Sequence, residues 1–257
     1  MKKHIKNPRA NSSGQLLLVA ALAIAILISS TTIYVYELSK QTNSTVTSSI
    51  SNSMLALKQS TRNTMISSLA NASNGGEKTV LTANLNKLSE VFRSLNHFGI
   101  CDLASTPRNN SNYDSGIWLS WDTSDVGVSS AYADFTLKAY DTAGNVTLNY
   151  AVNITTAVTI NGYYTDLGGN EKLVNLTCKI YNEAEPALAK NMSLFYERLG
   201  SWVPVDSSNN LSIIDYGNGT YCIVFSVNTS LNTVEVSAHI NDLRDIFVQA
   251  NATCYES

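Results

Sequence analysis

The feature that most constrains this chain of 257 residues is an uncharged apolar run, Leu16 to Tyr36. As a helix, its 21 residues are long enough to cross a hydrocarbon core of about 30 Å. Four basic residues precede the run: Lys2, Lys3, Lys6 and Arg9. Positive charge on this flank favours a cytoplasmic N-terminus. We therefore expect a cytoplasmic basic tail or leader over residues 1–14 and a transmembrane helix over residues 15–38, with the remainder of the chain outside the cell.

Glycan acceptors and cysteines are concentrated beyond the apolar run. An N-linked glycan requires a solvent-facing asparagine in a secreted context. The eleven candidate acceptors are Asn43, Asn71, Asn109, Asn145, Asn153, Asn175, Asn191, Asn210, Asn218, Asn228 and Asn251. The four cysteines are Cys101, Cys178, Cys222 and Cys254. An even number suits disulfides in an oxidising compartment, with three connectivities open, and buried free thiols are the alternative.

Composition and motifs argue against several classes of function. A formal net charge of -3 with few charged residues gives no basic patch for nucleic acid. The three histidines, His4, His97 and His239, lie far apart in the sequence, and the chain has neither a Gly-x-Ser-x-Gly elbow nor a His-Glu-x-x-His pair. We therefore expect a protein that is not an enzyme and that uses no cofactor and no metal.

Helical periodicity follows the apolar run and predicts an external helical hairpin over residues 39–98. The first apolar seam consists of Val46, Ile50, Met54, Leu57, Met65 and Leu69, with Thr61 at one position of the repeat. Asn74-Gly75-Gly76 predicts the end of this helix. The second seam consists of Leu81, Leu85, Leu88, Phe92 and Leu95. A short connection favours antiparallel packing within the chain, and packing on the same helix of a neighbouring subunit is the alternative.

Alternation replaces helical periodicity from Gly99 onward, and we expect two β-rich domains, residues 99–156 and 157–257. Ala131–Tyr140 and Asn145–Thr155 alternate around a turn and predict a β-hairpin. Further strands are expected near residues 117–121, 158–164, 174–180, 192–198, 202–205, 221–227, 234–240 and 246–254. Short strands at such spacing predict a sandwich.

The run Asp215–Cys222 resembles the corner before strand F in immunoglobulin-like domains. This resemblance implies that Cys178 and Cys222 join the two sheets of the second domain. Cys101 and Cys254 would then tie the start of the β region to the end of the chain.

The stretch Ser13–Val19 resembles an archaeal type IV pilin-like leader, in which a basic tail and a Gly-Gln junction precede the apolar helix. The resemblance implies cleavage between Gly14 and Gln15 and packing of the freed helix with its neighbours in a filament. Many archaeal single-pass surface proteins begin in a similar way.

Together these features predict an α+β protein with a transmembrane helix, an external helical hairpin and an all-β, immunoglobulin-like sandwich region. We expect a single-pass cell-membrane glycoprotein with a structural or adhesive role, whose partners are the lipid bilayer and other surface proteins or copies of itself. The alternative is a tethered, non-assembling immunoglobulin-like binding module or receptor accessory protein. Trp118, Trp121 and Trp202 would form either a contact surface or part of the core.

Overall fold

The computed structural model describes residues 46–95, 100–123, 125–141 and 144–257. Lys58–Ser257 forms one compact unit, and the start of the first helix up to Leu57 belongs to another. The helices are α1 (Val46–Ser73) and α2 (Val80–Leu95), and a 3-10 helix spans Ser207–Asn209. The strands are β1 (Ile100–Pro107), β2 (Ile117–Thr123), β3 (Val126–Asp141), β4 (Gly144–Gly168), β5 (Glu171–Asn182), β6 (Glu185–Pro186), β7 (Ala189–Arg198), β8 (Ser201–Pro204), β9 (Ser212–Asp215), β10 (Thr220–Asn228), β11 (Val234–Asp242) and β12 (Phe247–Glu256).

The two described helices form where the apolar seams predict them. Met65 and Leu69 of α1 and Leu81 and Leu85 of α2 are fully or almost fully buried. Thr61 is also buried, and its hydroxyl donates to the Lys58 carbonyl, so a polar side chain occupies a seam position with its hydrogen bond satisfied.

The connection between the helices is a tight turn. Helix α1 ends at Ser73, and Gly75 follows with φ of 97°, the left-handed conformation that glycine adopts without steric cost. Asn84 of α2 then donates to Ser68 of α1 (3.0 Å), so the second helix folds back on the first.

The first part of the sheet is built on one long antiparallel hairpin, β3 and β4, as the alternation predicted. The free side of β3 is shared, because β1 pairs with its second half and β2 with its first half. Alternate side chains of β3 are buried, among them Ala131, Ala133, Phe135 and Leu137.

The second part is a curled sheet whose two halves share one core. One half has the order β4-β5-β10-β9, and the other has the order β8-β7-β11-β12. A short parallel pairing of Tyr255 in β12 with Tyr163 in β4 joins the halves along one side. Buried side chains from both halves form a single apolar cluster, with Phe225, Ile223, Ile240 and Val248 among its fully buried members.

Strand β4 runs through both parts of the sheet. Its 25 residues pair first with β3 and then with β5. The domain boundary that the sequence predicted between residues 156 and 157 falls inside this continuous strand.

Several predictions lie outside the described residues: the leader junction at Gly14 and Gln15, the transmembrane helix over residues 15–38, Asn43, and His97. Among the residues that are described, no helix is long and apolar enough to cross a membrane.

Candidate functional site

The most densely bonded polar cluster lies around a buried carboxylate at the end of β11. Asp242 is 0 % exposed. It accepts hydrogen bonds from the Thr156 hydroxyl (2.8 Å), the Arg244 Nε (2.9 Å) and the backbone amides of Arg244 and Ile246. The loop after β11 folds tightly because this carboxylate bonds amides two and four residues further on, which is how aspartate organises turns. The buried charge is therefore fully compensated.

The Arg244 guanidinium extends this cluster to the turn after β5 and to the backbone of β4. Its Nη1 donates to Glu183 Oε1 (2.7 Å), and its Nη2 donates to the Thr155 carbonyl (3.1 Å) and the Thr156 hydroxyl (3.0 Å). Glu183 lies in the turn after β5 and also accepts from the Thr155 amide and from Arg62 of α1. We call Arg62, Thr155, Thr156, Glu183, Asp242 and Arg244 the junction network.

The end of α1 adds neutral contacts beside the junction network. The Ser73 hydroxyl accepts from the Phe247 amide (3.0 Å), and Asn74 donates to the Asp245 carbonyl (2.9 Å) and accepts from Asn241. The helix, the middle of β4 and the loop between β11 and β12 are therefore bonded together at one place. Because the charges in the network are paired with one another, its role is structural: it holds these elements together.

A second cluster, of aromatic rings, lies on the face of β2 and β3. Tyr113 contacts Trp118 and Tyr132 with ring centroids 5.9 and 6.3 Å apart, and the Arg108 guanidinium lies 4.4 Å from the centroid of Tyr132. The Tyr113 hydroxyl is hydrogen-bonded to the Ser130 hydroxyl, so the Tyr113 side chain is held both by its ring contacts and by its hydroxyl group. All three rings are half-buried. They form a partly open aromatic surface.

The other two tryptophans have different environments. Trp121 packs edge-on against Phe247 (4.9 Å) and donates its indole N–H to Ser129, so it is part of the packing. Trp202 lies on the edge strand β8 and is 46 % exposed.

Most of the predicted glycan acceptors are accessible. Of the ten acceptors within the described residues, eight are exposed: Asn71, Asn109, Asn145, Asn153, Asn191, Asn210, Asn218 and Asn228. Asn175 and Asn251 are half-buried. The Oδ1 of Asn251 accepts a hydrogen bond from the Gln249 side chain. The eight exposed asparagines satisfy the steric requirement for modification.

The predicted disulfides are not formed. Cys178, Cys222 and Cys254 are free thiols, and the side chain of Cys101 lies outside the described part. Cys178 lies opposite Tyr221 and Cys222 opposite Thr177 on paired strands, so the side chains of Cys178 and Cys222 point to opposite faces of the sheet. The Asp215–Cys222 run ends within β10, which pairs with β5, so a Cys178–Cys222 bridge would not have connected the two halves of the sheet.

The core environment changes the chemistry of two of these thiols. Burial raises the pKa of Cys178 to about 12, and burial also raises that of Cys254 to about 12. Both are therefore protonated at neutral pH and serve as small apolar core residues.

The described residues contain no group of three or more His, Cys, Asp or Glu side chains that could hold a metal ion. An open groove of about 420 Å³ lies on the outer side of β4 and β5 and is lined by Asp125, Val126, Thr159, Ile160, Asn161, Thr177 and Lys179.

His239 packs against the rings of Phe195 (4.5 Å) and Phe247 (5.5 Å), and burial lowers its pKa. The contacts that the structure describes for His239 are therefore packing contacts with two aromatic rings.

Comparison with known proteins gives no family for this chain. No family model matches the sequence, and no curated protein or solved structure matches it.

The junction network was not predicted from the sequence. Its members are separated by up to 121 residues in individual hydrogen bonds, so no local motif contains them. The one available signal was Asp242-Leu243-Arg244-Asp245, a charged turn between two predicted strands, which by itself indicates only turn capping.

Proposed function

We propose that this chain is a membrane-anchored, extracellular structural or adhesive glycoprotein that resembles a type IV pilin-like subunit. The apolar run Leu16–Tyr36 would anchor or assemble it, and the β-rich part would face the outside. The observation that carries the proposal is the exposure of eight of the ten described acceptor asparagines. A chain modified at many sequons needs this arrangement, because each glycan must project into solvent.

We infer further that the curled part of the sheet is an immunoglobulin-like sandwich. Immunoglobulin sheets have the strand orders A-B-E-D and G-F-C, with C′ beside C in the variable type. The halves β4-β5-β10-β9 and β12-β11-β7-β8 follow these orders when β4 is strand A and β12 is strand G. In this assignment Cys178 lies on strand B and Cys222 on strand E, so the usual inter-sheet bridge has no partner cysteine on β11, which is strand F.

The strand assignment also supports a second candidate function, a tethered binding module that does not assemble. Immunoglobulin-like sandwiches carry many unrelated binding functions on their loops and faces, so the fold alone does not choose between the two. The partly open aromatic surface of Tyr113, Trp118 and Tyr132 favours a contact role in either case.

Mass spectrometry of the N-terminal peptide separates the two candidates. The chain is expressed in an N-glycosylating archaeal host, and membranes and sheared surface material are analysed separately. A mature chain that begins at Gln15 and is present in the sheared fraction is the result expected for a pilin-like subunit. An intact tail upstream of Gln15, found only in membranes, would refute assembly and favour the tethered module. A Gly14→Val variant is the control, because it alters the proposed cleavage junction and leaves the β-rich part unchanged.

A further inference from the structure

Strand β9 is an exposed sheet edge with apolar side chains. It spans only Ser212–Asp215 and pairs on one side with β10. The neighbouring apolar residues are accessible, with Ile213 at 43 %, Ile214 at 53 % and Tyr216 at 61 % exposure. An edge strand presents unpaired N–H and C=O groups and can pair with a strand of another chain. Apolar side chains add to this tendency.

Three other strands that pair on one side only carry a residue that blocks such pairing. β1 contains Pro107, β6 contains Pro186 and β8 contains Pro204. Proline cannot donate a backbone hydrogen bond to an added strand. The sequence of β9, Ser-Ile-Ile-Asp, has no proline and no basic residue. Its single charge, Asp215, lies at the end of the strand and accepts from the Gly217 amide.

A glycan acceptor lies immediately beyond each end of β9. Asn210 precedes the strand by two residues, and Asn218 follows it by three. Both side chains are exposed. The Asn218 Oδ1 accepts from the Thr220 amide (3.1 Å), which fixes the side-chain amide with its oxygen toward the protein. The amide nitrogen, which is the atom that an oligosaccharide would modify, remains available.

The backbone at Asn210 suits asparagine for a structural reason too. Asn210 has φ of 55° and closes the 3-10 helix, and asparagine tolerates this left-handed conformation better than most residues. Both acceptors therefore lie on ordered turns, and a group attached to either is held near the end of the edge strand.

We propose that oligosaccharides attached to Asn210 and Asn218 cover the edge of β9 and prevent a second copy of the chain from pairing with it. This inference rests on the proposed function, because the modification requires the β-rich part to be outside the cell. An oligosaccharide is bulky and strongly hydrated, so one at each end of a four-residue strand obstructs the approach of another strand. The glycans would do at this edge what proline does at β1, β6 and β8.

The test removes the two acceptors from the full-length chain. An N210Q/N218Q variant is expressed in the N-glycosylating host, purified in mild detergent and compared by light scattering with the unaltered chain. The matched control is N109Q/N145Q, which removes two exposed acceptors outside the curled part of the sheet. We expect at least a twofold rise in protein mass per particle for N210Q/N218Q and no change for the control. Adding I214K, a charge on the exposed edge strand, should restore the original mass.

The outcomes distinguish this inference from the proposed function. An unchanged mass for N210Q/N218Q, or association that I214K does not reverse, would overturn the role of the two glycans. Glycopeptide mapping that finds sugars at other acceptors but none at Asn210 and Asn218 would overturn it as well, while leaving the proposed function intact. A chain with no glycan at any acceptor and with no exposure to the cell surface would refute both.

Discussion

Replacing Arg244 with methionine tests whether the junction network holds the fold together. The Arg244 side chain is 16 % exposed and its partner Asp242 is 0 % exposed, so the ion pair is largely shielded from water. Removing one member of a buried ion pair costs about 3–5 kcal/mol of unfolding free energy, because the remaining charge stays buried without its partner. Asp242 keeps hydrogen bonds from Thr156 and from backbone amides. We therefore expect the lower end of this range, about 3 kcal/mol.

The matched control is Arg62→Met, which removes another arginine from the same network. Arg62 is 45 % exposed and contacts Glu183 at 3.3 Å, while Arg244 contacts the same carboxylate at 2.7 Å. Exposed ion pairs contribute about 0–1 kcal/mol, since water screens the charges and the long side chains lose entropy. The two variants therefore remove the same type of side chain from one cluster, with different expected costs.

The assay is urea unfolding of the full chain, followed by tryptophan fluorescence. Trp121 is a suitable reporter because it packs against Phe247, whose amide bonds to Ser73 beside the network. With a urea dependence of about 3 kcal/mol per molar, Arg244→Met should lower the midpoint by about 1 M and Arg62→Met by no more than about a third of that. Equal shifts for the two variants would refute the argument that burial determines the strength of this network.

Three further predictions concern the core and its surroundings. Iodoacetamide at pH 8 should modify the half-buried Cys222 in the native protein much faster than Cys178 or Cys254. The raised pKa values of Cys178 and Cys254 keep these two side chains in the unreactive thiol form. Equal modification rates for the three cysteines, measured by mass spectrometry, would contradict this prediction. Burial lowers the pKa of His239, so below about pH 6.5 the unfolded chain binds more protons than the folded chain. The unfolding free energy should therefore fall as the pH decreases below that value. An equal fall in a His239→Gln variant would disprove the role of His239. Gly127→Ala should cost at least about 2 kcal/mol in thermal unfolding, because the new Cβ would come within 1.8 Å of a backbone oxygen of β12, and a neutral effect would show that the strands can separate.

The sequence predicted those elements whose signals are local and periodic. The β3–β4 hairpin follows from strict alternation on both sides of a turn, and the helical seams follow from a three-four repeat that tolerates a buried Thr61. Strand β9 was missed, because Ser212–Asp215 is too short to alternate and its position depends on pairing with β10. Local sequence patterns identify helices and strands. Which strand lies at the edge of a sheet depends on pairing between segments that are distant in the sequence.

The cysteines and the junction network were beyond sequence reasoning for a related reason. Cys178 and Cys222 are 44 residues apart in the sequence. This separation gives no information about which residues of the two strands lie opposite each other. A shift of one residue on paired strands reverses the face of a side chain, and the observed register places the two thiols on opposite faces. The network likewise brings together a helix, a mid-strand position and two turns, which only the tertiary fold can do.

Strand β4 and the junction network lie together where the two parts of the sheet meet. Strand β4 connects the two parts of the sheet through one continuous backbone, and Thr155 and Thr156 lie near its middle. At that same point Arg244 bonds the backbone of β4, and Asp242 accepts from the Thr156 hydroxyl. A bend of β4 there would have to break several charge-assisted hydrogen bonds, each stronger than a neutral one. The junction network therefore resists bending of β4 at the point where this long strand passes from its pairing with β3 to its pairing with β5.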